Sequence, residues 1–123
     1  MDERILKWLY DIKLCIDEID SFFKEEEKDF FKYKNNVMLK RAVERNLEII
    51  GEAVNRIITR DNSFTDKISN AKAIIGLRNQ VIHAYDNISD ENIWSILTNH
   101  LPKLKVEVDV LITEDRKSTR LNS

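Results

Sequence analysis

In the eight residues Arg78-Asn79-Gln80-Val81-Ile82-His83-Ala84-Tyr85, a guanidinium, an amide, an imidazole and a phenol lie close together in the chain. Each has a use in phosphodiester chemistry. An imidazole with a pKa near ~6.5 can take the proton from a ribose 2′-hydroxyl or give one to a departing 5′-oxygen. A guanidinium can hold a phosphate and offset the charge that builds in the transition state. Asn79 can bond a phosphate oxygen or hold the His83 ring, and Tyr85 can bind phosphate or be modified on its hydroxyl. The set suits RNA cleavage without a metal.

Spacing alone leaves a structural alternative open, and it is the commoner one. His83 would then be half-buried against a backbone carbonyl, with Arg78 ion-paired to Asp86 or Glu52. Helical geometry adds a constraint. At ~100° per residue, Arg78 and Tyr85 fall nearly in register, whereas His83 stands about 140° from Arg78. One regular helix therefore does not bring Arg78 and His83 together. Either the helix ends at His83 and frees its ring, or the same stretch of a second subunit supplies the other half across a two-fold axis.

The elements that must position these residues are helical throughout. Two glycines and one proline in 123 residues leave the chain few breakers. Ile5, Leu9, Ile12, Ile16, Ile19 and Phe23 recur at steps of three and four, widened by Trp8 and Phe22, and predict a long amphipathic first helix. Phe30-Phe31-Lys32-Tyr33 is expected to tuck under a connector. Asn35 or Asn36 is the expected N-cap of a second long helix, whose seam is Val43, Leu47, Ile50, Val54 and Ile57. Gly51 sits beside that seam, where it lets another backbone approach. Asp61-Asn62-Ser63 ends the helix, and a turn or short helix leads to Ser69 or Asn70.

A third helix places Ile74, Leu77 and Val81 on one face and loosens near Ala84. Ser89 is the expected N-cap of the last helical stretch, with Asp90 and Glu91 in its first turn. Ile93, Leu97, Leu101, Leu104, Val108 and Leu111 carry its apolar pattern. Pro102 should kink it or restart it, because proline has no N–H and clashes with the preceding turn. The predicted class is all-α, an antiparallel bundle of four to five helices that dimerises, spanning residues 1–113. Residues 114–123 have no core face. They are expected to be a disordered tail that resembles adapter sequence extraneous to the domain, and no function is assigned to them.

Composition narrows the function classes. An apolar share of 42% with 34% charged residues fits a globular domain and not a disordered one. The net charge of −2 argues against a strong non-specific nucleic-acid binder. Residues 37–85 are the exception, at +3 between segments of −3 and −2, and they end on the Arg78–Tyr85 stretch. One cysteine, Cys15, excludes an internal disulfide and a multi-cysteine zinc site, and its helical spacing suggests a packed core thiol. No metal-type His/Cys cluster and no Gly-rich phosphate loop occur, so no metal or cofactor is expected. With no signal-like start and no long apolar run, a cytoplasmic location is expected.

The same stretch resembles the motif of HEPN ribonucleases, specifically the HepT toxin branch: Arg, a polar residue, three further residues, His, any residue, Tyr. Arg78, Asn79, His83 and Tyr85 match it. Arg45-Asn46-Leu47-Glu48-Ile49-Ile50-Gly51-Glu52-Ala53 is similar to that branch's second helix, and Ile93-Trp94 with Leu101-Pro102-Lys103-Leu104 to its last part. The resemblance covers about residues 3–112. It implies a helical homodimer whose Arg–His pairs face a shared cleft, and a metal-independent endoribonuclease acting on an RNA substrate and leaving a 2′,3′-cyclic phosphate. It also implies a type VII-like toxin–antitoxin system in which a cognate MntA-type nucleotidyltransferase antitoxin transfers AMP from ATP to Tyr85. The alternative is a non-catalytic nucleotide- or RNA-binding dimer that serves as scaffold for the nucleotidyltransferase. Glu52, Arg41, Arg45, Arg56 and His100 are expected to be mostly structural, with the arginines as secondary candidates for an RNA path.

Overall fold

Asp2 opens the first helix. Its carboxylate accepts from the backbone N–H groups of Arg4 at 2.8 Å and Ile5 at 3.3 Å, two of the donors a helix start leaves without partners. Helix α1 then runs Glu3–Phe22 and buries Ile5, Leu9, Ile12, Cys15, Ile16 and Ile19. The structure is a computed structural model and describes residues 1–23, 29–83 and 89–122; for 80–83 and 118–122 the description is of the backbone alone.

The remaining elements follow the punctuation of the sequence. Asp29 caps a five-residue helix, α2 (Phe30–Lys34), where a plain connector was expected. Asn36 caps α3 (Val37–Arg60), accepting from Leu39 N–H at 3.0 Å. At Asp61 the chain leaves helical geometry, and the Asp61 side chain instead accepts from Ser63 N–H to start a 3₁₀ turn over Asn62–Asp66. Helix α4 (Ala71–His83) follows. Ser89 caps α5 (Asp90–Ser95) as expected, with its hydroxyl accepting from Asn92 N–H at 3.2 Å. The last helix, α6, spans Leu101–Asn122.

Between α5 and α6 lies one π turn, Ile96–His100. Its flanking residues keep right-handed helical dihedrals, so the path is not broken. The Leu101 N–H bonds back to the Ile96 carbonyl, five residues away. Widening the turn just ahead of Pro102 accommodates a residue that has no N–H to give. The expected kink or restart is thus a local change of helical winding.

All-α architecture with helices in antiparallel neighbouring pairs is the result. Helix α3 is central and packs against both α1 and α4, while α1 also packs against α6. Antiparallel order is visible in the links between elements. Arg60 at the end of α3 donates to Asp2 ahead of α1 at 2.8 Å, and Lys13 of α1 pairs with Asp109 of α6 at 3.2 Å. These exposed pairs fix register more than stability, since water and salt screen them. The α3 seam is buried at every expected position, Val43, Leu47, Ile50, Val54 and Ile57. At one end of the bundle Trp94 meets Phe23 at 6.0 Å, Phe30 at 5.7 Å and Tyr33 at 5.4 Å between ring centroids.

The carboxyl-terminal segment differs from expectation. The apolar pattern does end at Ile112, the last buried position of α6 among the side chains described. The helix itself runs on past Glu114 to Asn122. Asp115 pairs with the amino terminus of Met1 at 3.2 Å, and Arg116 donates to the Tyr10 hydroxyl at 2.9 Å. Polar contacts to Met1 and Tyr10 thus accompany the first turn of α6 beyond its core face.

Candidate active site

Helix α4 carries the Arg78–His83 segment, and its packing sets where Arg78 points. The turn ahead of α4 is fixed from outside: Glu107 of α6 accepts from Ser69 N–H at 3.0 Å and from the Ser69 hydroxyl at 3.2 Å. One residue on, the Asn70 carbonyl accepts from Ile74 N–H at 3.1 Å, so the helix starts where the sequence suggested. Ile74 and Leu77 are buried, as the predicted face requires. The side chain of Val81, the third member of that face, lies outside the described residues.

Arg78 sits directly on Gly51 of α3. A Cβ added at Gly51 would overlap the Arg78 Cβ, come within 3.0 Å of its Cγ and lie 3.1 Å from the Ile74 carbonyl oxygen. Gly51 is buried in the middle of a 24-residue helix, where glycine costs roughly 1 kcal/mol relative to alanine. Close approach of α4 offsets that cost. Gly76 gives the contrast, since a Cβ there would meet nothing within 4 Å.

The Arg78 stem is consequently covered and its Nε is buried, with no hydrogen-bond acceptor among the described residues. At the outer end, Nη1 donates to the Asn79 Oδ1 at 3.0 Å, and Asn79 is exposed. Sequence spacing raised Glu52 as a structural partner for Arg78, but Glu52 pairs with Arg56 at 2.7 Å. Asp86, the other such candidate, lies outside the described residues.

The backbone of α4 is helical to His83, so positions 78 and 83 lie about 140° apart around the axis of one regular helix. The His83 side chain and all of Tyr85 lie outside the described residues. Of the predicted site residues, Arg78 and Asn79 are hydrogen-bonded to each other.

The secondary candidates each have a partner or a place in the fold. Arg41 pairs with Glu44 at 3.9 Å, Arg45 with Glu48 at 3.4 Å, and Arg56 with Glu52, all one turn apart on α3. His100 closes the π turn. Cys15 is buried, and burial, reinforced by Glu18 and Asp11, pushes its thiol up to about 11. Among the described residues no group of three or more His, Cys, Asp or Glu side chains is placed to hold a metal ion, and no helix is long and apolar enough to cross a membrane. The contact that spacing half-anticipated is Gly51: a lone glycine inside a long helix signalled close approach, but not which residue approaches. Glu107 gave no signal at all.

Comparison with known proteins places these residues in a family. Residues 12–111 match the family model described as Ribonuclease HepT-like. The chain is 39% identical over 114 residues to a Methanocaldococcus jannaschii protein named Putative RNase MJ1380, covering 90% of this chain and 100% of the relative. A second protein of that organism, named Putative RNase MJ0125, is 32% identical over 117 residues, covering 93% of this chain and 97% of the relative. No solved structure matches.

Proposed function

From the premise that this chain belongs to the HepT-like ribonuclease family, we propose that it is a metal-independent endoribonuclease whose reaction is carried by Arg78 and His83. The observation that supports this most directly is the state of Arg78. Its stem is clamped between α3 and α4, while its outer nitrogens sit beside exposed Asn79 at the surface. A guanidinium held in place before substrate arrives is suited to stabilise charge in a transition state, because it needs little reorganisation when the reaction occurs.

In this proposal the 2′-oxygen of a ribose loses its proton to one imidazole and attacks the adjacent phosphorus. The bond to the 5′-oxygen breaks, and that oxygen takes a proton. A 2′,3′-cyclic phosphate and a free 5′-hydroxyl result. The 140° divergence of Arg78 and His83 on α4 supports a composite site in which two copies of the chain contribute to one cleft. Phe31, Val37 and Met38, which a single chain leaves exposed around the α2–α3 junction, support such pairing.

The proposal extends to regulation. The chain would be the toxin of a type VII-like toxin–antitoxin pair, held inactive when a nucleotidyltransferase partner transfers AMP from ATP to the Tyr85 hydroxyl with release of pyrophosphate. Placed two residues from His83, the added anionic group would repel RNA phosphates. The alternative, a binding dimer without catalysis that serves as scaffold for the nucleotidyltransferase, draws on Arg78 alone: a guanidinium held beside exposed Asn79 can bind phosphate without an imidazole that acts on it.

Purified protein incubated with RNA in the presence of a chelator tests this. Cleavage with cyclic-phosphate ends, lost in Arg78→Ala and in His83→Ala at unchanged helicity, is expected. Absence of cleavage by the unmodified wild type, with nucleotide or RNA binding that survives His83→Ala, would establish the binding dimer instead. Intact mass after co-expression with the adjacent gene tests Tyr85: an AMP increment absent from Tyr85→Phe is expected.

A further inference from the structure

We infer that Gly51 is a positioning residue for Arg78, and that Arg78 takes its phosphate end-on through Nη1 and Nη2. The inference rests on the proposed role of Arg78 and goes beyond it by fixing which edge of the guanidinium meets the substrate and what holds it there.

Arginine can grip two phosphate oxygens in either of two ways. One uses Nε with a terminal nitrogen, from the side. The other uses the two terminal nitrogens, from the end. The fold removes the first. Nε is buried, so no phosphate in solvent can reach it. Nη1 gives one N–H to Asn79, which leaves its other N–H and the Nη2 pair for an incoming anion.

Gly51 is the cause of this arrangement. The atom that an added methyl would overlap is the Arg78 Cβ, and the Ile74 carbonyl oxygen lies next to it. Both are tied to the α4 backbone, so neither can swing aside as the tip of a flexible side chain would. Any side chain at position 51 must therefore push α4 off α3 and lift Arg78 with it. A displacement near 1 Å at a catalytic group can cost ~10²-fold in rate.

The test combines cleavage rates with solvent exchange of the Arg78 Nε–H by NMR of full-length protein, the resonance being assigned by its loss in Arg78→Lys. In the wild type this hydrogen should exchange at least about tenfold more slowly than those of the exposed Arg41 and Arg56. Gly51→Ala should raise the exchange rate and lower kcat by ~10²-fold. Gly76→Ala, the same change in open space, should keep Nε–H protected.

Wild-type exchange as fast as that of Arg41 and Arg56 would overturn the end-on assignment. A folded Gly51→Ala protein with wild-type kcat, or one whose Arg78 Nε–H stays as protected as in the wild type, would overturn the positioning role. If Gly51→Ala fails to fold, wild-type exchange decides the end-on claim, and exchange and kcat in Gly51→Ala folded at reduced temperature in a stabilising osmolyte decide the positioning claim. If the wild type cleaves no RNA, the proposed function falls, while exchange in wild type and Gly51→Ala still decides how Arg78 is held.

Discussion

Glu107 holds Ser69 by both of its donors, the backbone N–H at 3.0 Å and the hydroxyl at 3.2 Å, across 38 residues of chain. One carboxylate on α6 thus anchors the turn from which the Arg78 helix starts. Its charge is also favourably placed, because the first turn of a helix carries partial positive charge.

Removing that anchor should loosen α4 from its start. Glu107→Ala is expected to cost about 0.5–2 kcal/mol in a denaturant titration, the range for losing a side-chain acceptor at a helix start. Glu107→Gln, which keeps one acceptor oxygen, should cost less than half as much. Faster amide exchange at Ala73 and Ile74 than at Ile50 would accompany the loss. A Glu107→Ala midpoint equal to wild type would show that the two bonds contribute nothing.

Tyr33 is fully buried against Trp94, and its hydroxyl has no hydrogen-bond partner among the described residues. Burial, with Glu44 and Asp90 nearby, raises its pKa, so the phenol stays neutral throughout the ordinary pH range. Deleting an unsatisfied buried hydroxyl removes a desolvation penalty of roughly 1–3 kcal/mol. Tyr33→Phe should therefore be at least as stable as wild type in thermal unfolding, whereas Tyr33→Ala should lose about 3–5 kcal/mol with the ring. A Tyr33→Phe protein destabilised by about 1 kcal/mol or more would mean the hydroxyl has an acceptor after all.

Cys15 offers a pH readout. Burial pushes its thiol up to about 11. The reactive species is the thiolate, and a raised pKa lowers its share at any pH below that value. At pH 8 roughly one thiol in a thousand would be ionised, against about one in four for an ordinary cysteine. Alkylation by iodoacetamide should thus be slow in the folded protein, climb as pH rises towards 11, and become fast on unfolding. Rapid labelling of folded protein at pH 8 would contradict the burial of Cys15.

Much of the scaffold was readable without coordinates. The stripe from Ile5 to Ile19, the seam from Val43 to Ile57, and the Asn36 and Ser89 caps are each written within a few turns of chain. They were found because helical burial and capping are local, periodic phenomena. The Arg78–Tyr85 motif was legible for the same reason, as was the suspicion attached to Gly51.

The sequence by itself determined the helical class, the order of the long elements and which residues are candidates for the chemistry, because those depend on spacing along one chain. Tertiary structure decided what meets across helices. It set Arg78 on Gly51, turned Glu52 towards Arg56 and away from Arg78, and brought Glu107 to Ser69. It gathered Phe23, Phe30 and Tyr33 around Trp94, and it gave Asp115 and Arg116, past Glu114 on α6, their contacts with Met1 and Tyr10. Such pairings depend on how near two helices come and on their rotation about their axes. A shift of one residue in that rotation is about 100°, and no local pattern encodes it.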